Sequence, residues 1–107
     1  MNVSSHFEII VNDEVYSQFR AISPHEQLVI LDAIECLLAD KPMTQTPKRQ
    51  PLRIPETVGA TWELRCGEHN QYRVFYDVDS AAGIVVILAL GIKKQDRLTI
   101  DEEEFSL

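Results

Sequence analysis

Apolar and polar residues alternate with two different periods along this chain, first helical and then strand-like. Residues 6–11 form a short run rich in β-forming side chains, which predicts a first strand. Residues 12–21 then place Val15 and Phe19 on one helical face, with Asn12 or Asp13 as the N-cap. The chain is therefore expected to begin with a strand followed by a short helix.

A second helix has the clearest local signal. Ser23 is a favourable N-cap, Pro24 suits the first helical position, and Glu26 falls three residues after the cap. The helix is predicted to run to about Asp40, because Pro42 marks its end. Its apolar stripe is wide, which predicts burial of this helix against a sheet.

Three further strands are predicted in the second half of the chain. Residues 61–66 and 72–78 alternate between apolar and polar positions, as strands with two different faces do. Residues 84–92 are almost continuously apolar, which favours a central strand covered on both faces. Residues 79–83 form the turn before that strand.

These elements predict an α+β fold in the order βααβββ. Two N-terminal helices are expected to pack on a mainly antiparallel four-stranded sheet, within one domain over residues 1–107. Residues 41–60 carry four prolines and are predicted to be a long surface connection. Residues 95–107 form an acidic C-terminal tail with no assigned structure.

The net charge of −7 argues against nucleic-acid binding when it is taken alone. Its distribution changes this interpretation. Residues 1–40 carry seven acids and one base, and residues 99–107 carry four acids and no base. Residues 41–73 carry six bases and three acids. A basic centre therefore lies between two acidic ends.

Composition limits the remaining function classes. No apolar run approaches the ~18–20 residues of a membrane span, and the first residues lack the pattern of a secretory signal. We therefore expect a cytoplasmic protein with no membrane partner. Cys36 and Cys66 have neither a CxxC spacing nor neighbouring histidines, so two reduced thiols are expected, with no metal and no cofactor.

The hairpin between the second and third strands brings like charges together. If residues 67–71 form its loop, Arg65 lies directly opposite Arg73. Like charges in that position destabilise a sheet. The two guanidinium groups therefore need an anion between them, or a carboxylate such as Glu63 or Asp77.

The last long strand returns towards the same end of the sheet. Lys93 and Lys94 are therefore expected to converge with Arg65 and Arg73. Arginine offers a bidentate fork to phosphate, and lysine a mobile point charge. The alternative interpretation is a set of solvated salt bridges, or an anchor for the acidic tail.

Further candidates lie in loops. The basic residues Lys48, Arg49 and Arg53 of the long connection are candidate phosphate or RNA contacts, although a solvated loop explains them equally. His69 in the hairpin loop is a candidate for proton transfer. A polar loop residue is the alternative for His69.

The motifs "WELR" and "YRVFYDVD", followed by an apolar strand that ends in Gly-x-Lys-Lys, resemble the RelE/ParE superfamily of type II toxin–antitoxin toxins. The resemblance covers residues 7–97 and is strongest over residues 62–94. It implies a RelE/ParE-like fold. The C-terminal helix of that fold is expected to be short or absent here, because residues 96–105 contain neither the tyrosine nor the histidine that RelE-like nucleases carry there.

The resemblance also implies a function. RelE-like members cleave messenger RNA on the ribosome without a metal, and a cognate antitoxin neutralises them. By position, Arg73, Lys93 and Lys94 match the catalytic basic residues, and Arg65 is a supporting phosphate contact. The implied partners are an antitoxin, the ribosome and mRNA, and a homodimer is also considered.

Two alternatives to an endoribonuclease or translation inhibitor stay open. One is a non-enzymatic gyrase inhibitor of the ParE type. The other is a degenerate member that retains antitoxin binding and regulation but has lost catalysis. The sequence leaves open whether the protein is an enzyme.

Overall fold

The computed structural model describes residues 6–52, 60–94, 97–100 and 103–106. Within these ranges the chain forms two α-helices, one 3₁₀ turn and seven strands. In chain order they are β1 (Glu8–Val11), α1 (Asp13–Arg20), α2 (Pro24–Leu38), β2 (Arg49–Pro51), β3 (Trp62–Cys66), the 3₁₀ turn (Glu68–Asn70), β4 (Tyr72–Asp79), β5 (Ile84–Lys94), β6 (Arg97–Ile100) and β7 (Glu103–Ser106).

The strands form one open, mostly antiparallel sheet. Strands β2 to β7 lie side by side in chain order, and each pairs antiparallel with the next. Strand β1 pairs in parallel with the first half of β5, while β6 pairs with the last three residues of β5. Between these two paired stretches of β5, the Leu90 N–H donates a hydrogen bond to Oε1 of Gln18 in α1 at 2.7 Å. The predicted α+β fold with two helices on a mainly antiparallel sheet is confirmed.

Three strands in the described part of the chain were not predicted. Strand β2 lies in the long connection, and β6 and β7 lie in the acidic tail. The edge strand β2 has three residues and ends in a proline, so it has no strand pattern of its own. The tail strands form where the end of β5 offers a partner, because pairing outweighs intrinsic β-propensity.

Both helices begin where the sequence predicts. The Ser23 hydroxyl accepts a hydrogen bond from the Glu26 N–H at 3.4 Å and donates one to Glu26 Oε1 at 3.2 Å. This reciprocal cap fixes the start of α2, which ends at Leu38 rather than at Asp40. Asn12 is the N-cap residue of α1, although its side chain makes no capping hydrogen bond.

The sheet buries apolar residues on both of its faces. The helix face carries the larger cluster, in which Ile30 and Leu38 of α2 pack with Leu64, Val74 and Tyr76 of the sheet. The opposite face carries a smaller cluster, whose buried members are Ala60, Phe75, Ala89, Leu98 and Ile100. Strand β5 contributes to both clusters, as its continuous apolar sequence predicts.

Helix α2 packs against the sheet as predicted, but its apolar stripe is only partly buried. Ile30 and Leu38 have no exposed surface, but Leu28, Val29 and Leu31 are 66%, 37% and 48% exposed. The stripe is wider than the surface that the sheet and the short helix α1 can cover. An apolar surface therefore remains on the outside of the helical layer.

The cysteines and the helix lengths bear on two composition-based expectations. Both cysteines are free thiols, with Cys36 exposed and Cys66 buried. Neither α1 nor α2 is long and apolar enough to cross a membrane, and the described residues contain no other α-helix.

Candidate nucleic-acid interface

The hairpin between β3 and β4 has the predicted register, with Arg65 directly opposite Arg73. Its loop is tight because three of its positions have positive φ angles. Gly67 has φ 81°, and a Cβ added there would lie 2.5 Å from a ring carbon of Tyr72, so only glycine fits. His69 and Asn70 adopt left-handed conformations with φ 56° and 53°. The chain thereby turns back towards Arg73.

One carboxylate lies between the two arginines. Glu63 Oε2 accepts hydrogen bonds from Arg65 Nη2 at 3.0 Å and Nε at 3.3 Å, and Glu63 Oε1 accepts one from Arg73 Nη1 at 3.2 Å. The side chains of Glu63 and Arg73 are only 6% and 9% exposed, whereas that of Arg65 is 30% exposed. The expected counter-charge is thus Glu63, while Asp77 instead accepts hydrogen bonds from Thr61.

Asn70 joins a third cation to this group. Its backbone carbonyl accepts a hydrogen bond from Arg73 Nε at 3.1 Å, and its Oδ1 accepts one from Lys48 Nζ at 2.6 Å. The Lys48 backbone carbonyl also accepts a hydrogen bond from the Arg65 N–H at 2.7 Å. Asn70 was not predicted from the sequence. The sequence feature that could have indicated Asn70 is its place in a short hairpin loop, because asparagine tolerates left-handed backbone better than most residues.

A β-bulge decides which lysine of β5 joins the arginines. Tyr76 pairs with Ile87 and Phe75 pairs with Ala89, so Leu88 is an extra residue on β5. Beyond the bulge Gly91 pairs with Arg73.

Alternation along β5 then separates the two lysines. Lys93 lies two residues beyond Gly91, on the Arg73 face, and pairs with Leu98 of the smaller cluster. Lys94 lies on the helix face and pairs with Arg97. The two lysines reach the predicted end of the sheet but face opposite sides, so only Lys93 joins the arginines.

Arg49 is separated from the other candidates. It pairs with Leu64, whose side chain belongs to the helix-face core, and it is 8% exposed. Its Nη1 donates a hydrogen bond to the Leu37 carbonyl at 2.6 Å, at the C-terminal end of α2 where a cation is favourable. This placement explains Arg49 as a helix-terminus contact. Arg53 lies outside the described residues.

The remaining group, Lys48, Glu63, Arg65, Arg73 and Lys93, is called the basic patch below. It combines four cations with one carboxylate on a protein whose net charge is −7. The Arg65 side chain is more accessible than that of Arg73, and Lys48 is also exposed. A surface with this excess of positive charge favours an anionic ligand.

The comparison with protein families decides the classification. A family model described as "Phage derived protein Gp49-like (DUF891)" matches residues 17–105, which is most of the chain. The protein belongs to this Gp49-like family. The Gp49-like family is a RelE-like toxin family of toxin–antitoxin systems. The resemblance to a toxin of a toxin–antitoxin system is therefore confirmed at the level of this family. A search of curated proteins found no match.

Nucleophilic chemistry is disfavoured at the one thiol near the patch of this Gp49-like protein. Burial raises the pKa of Cys66 from 9.0 to about 11, although Lys48 and Arg73 act in the opposite direction. The thiol is therefore protonated at neutral pH. Tyr72 is protonated as well, because burial, and secondarily a hydrogen bond with Glu26, raise its pKa to about 12.

Proton transfer in the Gp49-like site has one accessible candidate among those named from the sequence. The His69 side chain is 90% exposed, and its Nε2 lies 3.9 Å from Glu68 Oε2. His69 precedes Asn70, which contacts both Lys48 and Arg73. No group of three or more His, Cys, Asp or Glu side chains in the described ranges is arranged to hold a metal ion. The described geometry is a cluster of cations around one carboxylate, with an exposed imidazole beside it.

Proposed function

We propose that this Gp49-like protein is a toxin that stops translation by binding RNA phosphates at the ribosome through the basic patch. The observation that carries this proposal is the convergence of Lys48, Arg65, Arg73 and Lys93 from three separate chain segments on one face of the sheet. Glu63 supplies one negative charge to the opposed Arg65 and Arg73, so the pair keeps an excess of positive charge. Anion binding gives that juxtaposition a use.

Glu63 orders the patch for this role. It holds the buried Arg73 guanidinium in a fixed orientation, while Arg65 is only partly covered. Arg65 and Lys48 therefore make the first contacts with a phosphate. Arg73 and Lys93 then supply positive charge behind them, in a setting less screened by water than the exposed surface.

If the toxin cleaves RNA, the ribose 2′-oxygen attacks the adjacent phosphorus and the 5′-oxygen of the next nucleotide leaves. The products are a 2′,3′-cyclic phosphate and a free 5′-hydroxyl. The arginines would stabilise the negative charge that develops on the phosphate oxygens. His69 is the candidate to move the proton, because its side chain is exposed and it precedes Asn70, which contacts Lys48 and Arg73.

The experiment is an expression and cell-free translation assay of the full chain. Wild type is expected to stop growth and protein synthesis, and co-expression of a cognate antitoxin is expected to restore both. Arg65→Gln and Lys48→Ala should weaken the arrest while the protein remains folded, because both side chains are at least partly exposed. Lys94→Ala is the matched control, since it removes a lysine from the opposite face.

Primer extension on ribosome-bound mRNA then separates cleavage from binding. Cleavage that His69→Ala abolishes, with RNA affinity retained, would identify a nuclease. Translation arrest without new RNA ends would identify an inhibitor that only binds. Supercoiling defects with normal cell-free translation would contradict the proposal and favour a gyrase inhibitor, and the absence of any growth effect would favour a degenerate member.

A further inference from the structure

Asn70 contacts two cations of the basic patch with two different atoms. Its backbone carbonyl accepts a hydrogen bond from Arg73 Nε at 3.1 Å, and its side-chain Oδ1 accepts one from Lys48 Nζ at 2.6 Å. The second bond joins residues that are 22 positions apart in the sequence. Asn70 is neutral, so it holds the two cations near each other without cancelling the charge of either.

The conformation of Asn70 allows both contacts. Its φ is 53°, in the left-handed region, and its N–H donates a hydrogen bond to the Gly67 carbonyl at 3.0 Å, which closes the hairpin loop. Glycine adopts this backbone without strain, and asparagine and aspartate are the other residues that tolerate it best. Glycine offers no side-chain oxygen, and aspartate would add a negative charge. Asparagine therefore combines this backbone with a neutral side-chain acceptor.

Lys48 is held at both of its ends. Its backbone carbonyl accepts a hydrogen bond from the Arg65 N–H at 2.7 Å, and its ammonium donates one to Asn70. An ammonium has further N–H donors, and these can reach an anion because Lys48 is exposed. A long side chain normally loses rotamer freedom when it binds a ligand, and ordering it beforehand strengthens binding. Lys48 is therefore ordered for ligand binding before the ligand arrives.

We propose that Asn70 is a positioning residue, which orders Lys48 beside Arg73 so that both cations act on one phosphate group of the RNA. Lys48 would contact the phosphate, and the largely buried Arg73 would add positive charge behind it. This inference rests on the proposed function for its ligand. The alternative is that the hydrogen bond between Lys48 and Asn70 only stabilises the hairpin loop.

Asn70→Gly tests the side chain alone. Glycine keeps the left-handed backbone and the carbonyl that Arg73 contacts, while the acceptor for Lys48 is lost. The probes are a labelled single-stranded RNA, followed by fluorescence anisotropy, and inorganic phosphate, followed by NMR of the backbone amides of residues 65–73. Asn70→Gly should weaken the binding of both probes about three- to tenfold, the effect of losing one hydrogen bond.

A double-mutant cycle with Lys48→Ala separates positioning from loop stability. Lys48→Ala alone should weaken binding at least as much as Asn70→Gly does. In the Lys48→Ala background Asn70→Gly should have no further effect, because the ammonium that Asn70 orders is gone. A loss of loop stability would instead lower the affinity by the same factor in both backgrounds.

Gln71→Ala is the matched control within the loop. The Gln71 Nε2 donates a hydrogen bond to Glu26 Oε2 of α2 at 3.4 Å, so its side chain faces the helix. This variant should bind both probes as wild type does. An unchanged affinity in Asn70→Gly, an equal loss in both Lys48 backgrounds, or an equal loss in Gln71→Ala would overturn the positioning role.

The same measurements distinguish this inference from the proposed function. Phosphate binding with the expected pattern, in a protein that neither binds RNA nor stops translation, would contradict only the proposed function. RNA binding without coupling between Lys48 and Asn70 would contradict only the positioning role. A wild type that binds neither probe would contradict both.

Discussion

Arg65 and Arg73 lie directly opposite each other on adjacent strands and hydrogen-bond to different oxygens of the same carboxylate, that of Glu63. One negative charge therefore balances only one of the two guanidinium groups, and the three side chains together keep a positive charge. The arrangement combines a buried ion pair, Arg73 with Glu63, and a half-exposed one, Arg65 with Glu63. The two pairs should differ in what they contribute to stability and to binding.

Glu63→Gln is expected to lower the free energy of unfolding by about 3 kcal/mol, because breaking a buried ion pair typically costs ~3–5 kcal/mol. The variant leaves Arg73 buried without its counter-charge. Arg65→Gln should cost less than about 1 kcal/mol, since Arg65 is partly solvated. Urea unfolding of both variants measures the difference. Equal losses would contradict the assignment of Arg73 as the buried partner.

Lys93→Ala and Lys94→Ala form a matched pair that tests which face binds RNA. Lys93 shares a face with Arg73, and Lys94 does not. Lys93→Ala should weaken RNA binding and reduce the slope of log affinity against log salt by about one. Lys94→Ala should leave both quantities at the wild-type value. Equal effects in the two variants would show that binding is not confined to the basic patch.

The register of the β3–β4 hairpin could be predicted because it depends on local information. The alternation of residues 61–66 and 72–78, together with the loop length, sets which residues face each other. The bulge at Leu88 could not be predicted in the same way. It depends on how β5 pairs with β4 over its whole length, and it moves Lys93 rather than Lys94 to the Arg73 face.

Helix α2 marks another limit of sequence analysis. The apolar stripe indicates how much surface the helix can bury, but not whether this chain supplies enough surface to cover it. Ile30 is covered and Leu28 is not.

The acidic tail marks a third limit. Its strands β6 and β7 form through pairing with β5, although the sequence alone favours no regular element.

Gly91→Ala is expected to destabilise the attachment of β6. An added Cβ would lie 2.8 Å from Ile100 Cγ1, 2.9 Å from Leu98 Cδ1 and 3.1 Å from the Thr99 carbonyl oxygen. Overpacking of this kind typically costs about 1–3 kcal/mol. Hydrogen exchange at the β6 amides should become faster.

Gly83→Ala is the control for that substitution. Gly83 has φ 69°, and an added Cβ would meet no atom within 4 Å. The cost there comes from the left-handed backbone, about 1–2 kcal/mol, and acts at the β4–β5 turn. Faster β6 exchange in Gly83→Ala, or unchanged β6 exchange in Gly91→Ala, would contradict the close packing of β6 against Gly91.

Stability should fall in alkaline solution because of Cys66. Burial raises the pKa of this thiol from 9.0 to about 11, so the folded state keeps a proton that the unfolded chain loses first. Stability linked to the protonated Cys66 thiol is fully present below pH 9 and is lost as the pH rises to about 11. A shift of this size corresponds to about 2–3 kcal/mol. Cys66→Ala should flatten the decline measured by urea unfolding between these pH values, whereas Cys36→Ala, which removes an exposed thiol, should leave most of it. An equally steep decline in Cys66→Ala would show that other groups govern alkaline unfolding.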